Sequence, residues 1–179
     1  MSDFEKALKF VLEHECVFAK HHYGDYEFVI SENVKNDTGK VTKFGIDQKS
    51  HPGVNIEELT LEQATEIYRR EYWDKYHCEE LPWPLSLVHF DGCVNMGAHQ
   101  QVKNLQRVVG TTPDGAWGPK TKYAVLSACE KRSTEVVALQ ACEQKREFYR
   151  ALVKEKPEKG EFLEGWMNRT NDLCGAVSV

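Results

Sequence analysis

The chain has 179 residues, of which 41% are hydrophobic and 28% charged, and a formal net charge of −5 at pH 7. That composition is ordinary for a globular protein and excludes wholesale disorder, a collagen repeat and a membrane bundle. The acidic balance gives no general attraction to nucleic acid or to anionic lipid.

No stretch reaches the roughly 20 apolar residues of a membrane span, so membrane insertion is not expected. The opening MSDFEKALKF carries Asp3 and Glu5 in place of the apolar core of a secretory signal, and synthesis in the cytoplasm is expected. Ser2 with Glu5 forms a capping box, which predicts an amphipathic helix to about residue 15. Residues 20–46 change character. Tyr26–Ser31, the turn-rich Asn36-Asp37-Thr38-Gly39 and Val41–Phe44 predict a β-hairpin or small β-lobe. Thr60 with Gln63 is a second capping box and opens a helix expected to reach about His77. Pro82 and Pro84 break it, and Pro84 suits the first turn of the next helix, which runs to about Met96. That helix, LSLVHFDGCVNM, is apolar on almost every side and is expected at the centre of the fold. A short helix to Val109, the turn TTPDG, a helix started by Pro119, and long helices over about 133–155 and 160–174 complete the chain, with KEKPEKG as a linker between the last two.

Six cysteines, at 16, 78, 93, 129, 142 and 174, form no Cys-x-x-Cys pair and are expected as reduced, mostly buried thiols. His14-Glu15 opens like a zincin motif, but Phe18 occupies the place of the second histidine. No metal site is expected. The segment Gly110–Thr121 ends in Gly-Pro-Lys-Thr; Pro119 separates the glycine from the lysine, so it is a turn before a helix and not a phosphate loop.

The most informative side chain is Glu15. At 100° per residue Phe4, Leu8 and Val11 share one helix face, and Glu15 lies about 20° from Phe4 on the same wheel. Glu13 points nearly opposite, toward water. A carboxylate at the end of an apolar stripe is partly removed from water, which disfavours its charged form and suits a general acid. The competing readings are a solvated carboxylate on a frayed helix end or an ion pair with a buried arginine. Asp91 and Asn95 stand one turn apart on the apolar central helix. Buried polar groups there must find partners or cost roughly 1–3 kcal/mol each, which favours a structural tie for Asp91. Tyr68, Tyr72 and Tyr76 share a helix face beside Trp73, as either core or the wall of a sugar-binding cleft.

These residues occur in an ordered pattern. Glu15 is followed by Asp37, Gly39, Thr42, Gly45 and Ile46, then by Ile67, Tyr68, Arg69, Tyr72 and Trp73, then by Phe90, Asp91, Val94, Asn95 and Gly97. The second half carries Leu105-Gln106, Asp114-Gly115, Gly118-Pro119, Thr121, Gly165-Trp166 and Asn168-Arg169. Over about residues 4–173 the chain resembles glycoside hydrolase family 108, a lysozyme-like N-acetylmuramidase group that includes secretion activator proteins, together with its peptidoglycan-binding segment. Three departures stand out. The family's Glu-Gly-Gly-Tyr is Glu15-Cys16-Val17-Phe18 here, its second hairpin glycine is Lys40, and the stretch between Glu15 and Asp37 is longer than the family's pattern.

The resemblance implies a mainly α, lysozyme-like fold: a helical body with one small β-hairpin lobe near the N-terminus. It implies a catalytic segment over 1–96 and a helical peptidoglycan-binding segment over 97–179, packed as one unit. It also implies hydrolysis of the β-1,4 bond between N-acetylmuramic acid and N-acetylglucosamine without a cofactor. Glu15 is then the general acid, Asp37 the second catalytic group and Thr42 a positioner of water, with Tyr68, Tyr72, Trp73, Asp91 and Asn95 on the substrate. The expected partner is the peptidoglycan glycan strand, met by a monomer after holin-type or dedicated export. The alternatives are a catalytically degenerate wall-binding or secretion accessory protein, and a lytic transglycosylase.

Overall fold

The computed structural model describes residues 1–15, 20–23, 26–29 and 42–178. Among them the chain is mainly helical with small antiparallel sheets near the N-terminus, the architecture expected of a lysozyme-like protein. It divides into two compact units, Met1–Trp73 and Asp74–Val179.

The first unit opens with helix α1, Asp3–Glu15. The Ser2 hydroxyl accepts from the Glu5 amide and the Glu5 carboxylate accepts from the Ser2 nitrogen, so the expected capping box is formed. Phe4, Ala7, Leu8, Phe10, Val11 and Leu12 are buried. Strands β1 (Lys20–Tyr23) and β2 (Tyr26–Val29) pair with each other, and so do β3 (Thr42–Lys43) and β4 (Ile46–Asp47). The β-hairpin or small β-lobe expected over residues 20–46 thus takes the form of two hairpins among the described residues, each strand pairing with the neighbour only two residues away in sequence. The turn at 36–39 lies outside the described residues. Thr60 caps helix α2, Leu61–Tyr68, with both halves of its box present. The expected continuation to His77 is not α-helical: Arg69–Asp74 winds as a π-helix.

In the second unit helix α3, Leu85–Asn95, buries every residue from Leu85 to Cys93, as its all-round apolar sequence predicts. Helices α4 (Ala98–Val109), α5 (Pro119–Arg132, with Pro119 in its first turn), α6 (Thr134–Glu155) and α7 (Leu163–Val177) follow. The expected linker before α7 is partly ordered as a 3-10 helix, Pro157–Phe162. Helix α6 packs against α3, α4, α5 and α7, and so forms the axis of this unit. Of the five described cysteines, Cys174 is half-buried and the other four are buried.

Candidate active site

Glu15 is the last residue of α1 and is half-buried, whereas Glu13 is exposed. The helical wheel separates the two carboxylates in the same way. What faces Glu15 comes from the β3–β4 hairpin. Its two-residue turn, Phe44-Gly45, has both residues in the left-handed region, with φ of 51° and 75°. Such a turn matches the natural twist of a hairpin and favours glycine. Gly45 also makes close approaches. A methyl group on its Cα would lie 2.5 Å from the Tyr68 hydroxyl oxygen and 3.1 Å from Glu15 Cβ. The aliphatic stem of Glu15 and the tip of Tyr68 therefore converge on one backbone position where only hydrogen fits.

Tyr68 is at the end of α2 and only 1% exposed. Its hydroxyl donates to the Phe44 carbonyl oxygen at 3.0 Å, tying the turn to the helix. Tyr72 lies against Tyr68, with ring centroids 5.7 Å apart. Thr42 is half-exposed and stands opposite Asp47 in the hairpin register. Asp47, the carboxylate of this hairpin, accepts from the amides of Lys49 and Ser50, both at 3.0 Å. A hydrogen bond from the Ser50 side chain comes first among the effects that hold its carboxyl below the usual carboxylate range, with the two amides adding to it. Trp73 is 2% exposed and sets its edge against Phe4 at 5.4 Å. The Arg69 guanidinium covers the Phe4 ring at 4.2 Å, a contact the sequence reading did not foresee. Asp37 lies outside the described residues.

The first unit thus brings Glu15 and Tyr68 together on one hairpin turn, with Tyr72 against Tyr68 and Thr42 on the strand that leads into the turn. Asp91 and Asn95 belong to the second unit. Asp91 is 0% exposed and its carboxylate accepts from Lys145 on α6 and from Arg169 on α7, the latter at 2.8 Å. Burial pushes the Asp91 carboxyl up, but the two cations outweigh it and hold it below its ordinary range. The Asn95 side-chain oxygen accepts from the Tyr149 hydroxyl, and Tyr149 stacks on Trp166 at 4.7 Å. Tyr68, Trp73 and Asp91, all expected on the substrate, are thus interior side chains whose contacts are made with the protein itself.

A sequence profile described as "Glycosyl hydrolase 108" matches residues 8–97, just over half of the chain. The chain belongs to this family. A second profile, described as "Predicted Peptidoglycan domain", matches residues 100–171 of this glycosyl hydrolase 108 member. Among solved structures it is similar to that described as "Structure of Brucella abortus SagA", at 26% identity and a TM-score of 0.70 over 97% of this chain and 92% of that one. No curated protein matches it. The two profiles together make the protein a glycoside hydrolase of the peptidoglycan-acting kind.

Proposed function

We propose that this glycosyl hydrolase 108 protein is an N-acetylmuramidase that cleaves the β-1,4 bond between N-acetylmuramic acid and N-acetylglucosamine, with Glu15 as general acid. The observation that carries this reading is the setting of Glu15: a half-buried carboxylate at a helix end, its stem seated on the Phe44-Gly45 turn beside Tyr68, inside the segment that matches the hydrolase family. In this scheme the Glu15 carboxyl gives its proton to the glycosidic oxygen as the bond breaks. The sugar left behind develops positive charge, which a second group stabilises or quenches through an activated water. Asp37 is assigned that second role and Thr42 the positioning of the water. Tyr72 and Asn95, both half-exposed, are the substrate-side candidates with surface to offer. Tyr68, Trp73 and Asp91 act on substrate only through the elements they hold in place.

The segment 1–96 is assigned the cutting and 97–179 the holding of the wall, and the protein works as a monomer on the cell wall after export, by a holin or a dedicated route. The test is mass spectrometry of muropeptides released from purified peptidoglycan. Hydrolysed products ending in N-acetylmuramic acid are expected, and Asp37→Asn is expected to slow their release by less than a Glu15 substitution does. Anhydro products lighter by one water would make the protein a lytic transglycosylase. Co-sedimentation with the wall and no released product would make it a binding or secretion accessory protein, the outcome that Cys16-Val17-Phe18 beside Glu15 would then explain.

A further inference from the structure

The motif of the second half, Leu105-Gln106, Asp114-Gly115, Gly118-Pro119 and Thr121, has no part in the chemistry assigned to Glu15. In the structure these residues, from the end of α4 to the start of α5, fix one loop. Gln106 is 1% exposed, and its amide nitrogen donates to Asp114 at 2.7 Å, to the Thr121 hydroxyl at 3.0 Å and to the Ala116 carbonyl at 3.2 Å. Its amide oxygen accepts from the Gly115 amide at 2.8 Å. Gly115 has a φ of +76°, and a side chain on it would run into the His99 imidazole, so the loop backbone packs directly on that ring. A buried amide using both ends to fix a surface loop makes the loop rigid.

What the loop presents is Trp117. The indole is half-exposed. Its Nε1 donates to Glu80 at 3.4 Å, and Glu80 is itself held by Lys122 at 3.2 Å and by His77 at 3.5 Å. The ring lies beside the fully buried His89 imidazole, with centroids 5.4 Å apart, and His89 Nε2 is 2.9 Å from the Tyr76 carbonyl oxygen. Trp117 and Tyr76 then line an open cavity of about 640 Å³ with Met96, His99, Gln100 and Val102. That size is within the range of small-ligand sites, about 300–1,000 Å³.

The lining selects the ligand. Among the described residues it combines two aromatic rings, an imidazole and a carboxamide, and holds no Lys, Arg, Asp or Glu. The one carboxylate that the indole touches, Glu80, is paired with Lys122. A carboxylate-rich stem peptide would find no cation in such a cavity. A neutral amino sugar fits it: the C–H face of the ring stacks on a rigid indole at little entropic cost, and hydroxyl and acetamide groups meet His99, Gln100 and the Tyr76 hydroxyl.

We propose that this cavity is a saccharide-binding site for an N-acetylated hexosamine of the glycan strand, with Trp117 as its stacking platform. The proposal rests on the reading that the protein acts on peptidoglycan and assigns the sugar, not the peptide, to the second unit.

The test uses the full chain carrying Glu15→Gln, so that ligand is not consumed, and measures binding of N-acetylglucosamine tetramer and of purified peptidoglycan by calorimetry and co-sedimentation. The expected result is that adding Trp117→Ala weakens binding of the tetramer by at least about tenfold, as for an aromatic anchor at the heart of a site. Trp117→Phe separates a lost platform from a lost fold: it retains most of the binding and keeps the parent melting temperature. Equal binding with and without Trp117, or binding of a free stem peptide in place of the tetramer, overturns the proposal. If the Glu15→Gln chain binds neither tetramer nor wall, the peptidoglycan reading itself fails and this site falls with it.

Discussion

Glu15 depends on a glycine distant in sequence. Gly45 combines a positive φ with contacts to Tyr68 and Glu15 that leave no space for a methyl group. Left-handed backbone costs an L-residue roughly 1–2 kcal/mol before any clash is counted. Gly45→Ala is therefore expected to lower the melting temperature and to reduce wall hydrolysis disproportionately, because the turn relaxes by moving off the Tyr68 hydroxyl and the Glu15 stem together. Gly53→Ala is the control, since a methyl group there meets nothing within 4 Å. Equal activity in the two variants, measured as reducing ends released per minute, would remove the turn from the site. At this scale the sequence was partly legible. A helical wheel finds Glu15 because burial along one helix is periodic. The hydrogen bond from Tyr68 to the Phe44 carbonyl is not periodic in anything, and no local pattern announces it.

Among the elements, α3 is decided by charge as well as by apolar surface. Its sequence predicts burial, and its Asp91 predicts a partner. The partners, Lys145 and Arg169, come from α6 and α7, and only the tertiary structure reveals them. Removing one member of such a buried network leaves the others charged without compensation, at about 3–5 kcal/mol. Asp91→Asn is expected to lower the unfolding free energy at pH 7 by an amount of that order. The Asp91 carboxyl is held below its ordinary value of 3.8, so the stability it gives is present in full above about pH 4 and is lost as pH falls through the lower folded-state value. The gap between wild type and Asp91→Asn in urea unfolding should therefore narrow as the buffer is taken from pH 7 down to pH 3 and below. A gap that is constant over this range, or absent at pH 7, would contradict the network's role. Helix starts were the most legible features, because Ser2, Thr60 and Pro119 act on their own backbone. The π-helix at Arg69–Asp74 was not, because the apolar spacing of Tyr68, Tyr72 and Tyr76 fits an ordinary α-helix equally well.

For the whole molecule, two boundaries fall at different places. The hydrolase profile ends at residue 97, yet the compact units divide between Trp73 and Asp74. Helix α3 explains the offset: it carries the Phe90-Asp91 and Val94-Asn95 motif of the first half while its polar groups are satisfied by the last two long helices. A chain ended after residue 96 keeps Asp91 and loses both of its cations. Such a fragment is expected to be insoluble or to lack cooperative unfolding by circular dichroism, and a soluble fragment with a sharp transition would show that α3 needs no partner. The account as a whole turns on Glu15. The most direct measurement is the release of reducing ends from purified peptidoglycan by wild type and Glu15→Gln side by side, with circular dichroism to verify that both are folded. Loss of a general acid predicts a fall of about 10²–10⁴-fold in the variant, whereas equal release by the two proteins would contradict the assignment.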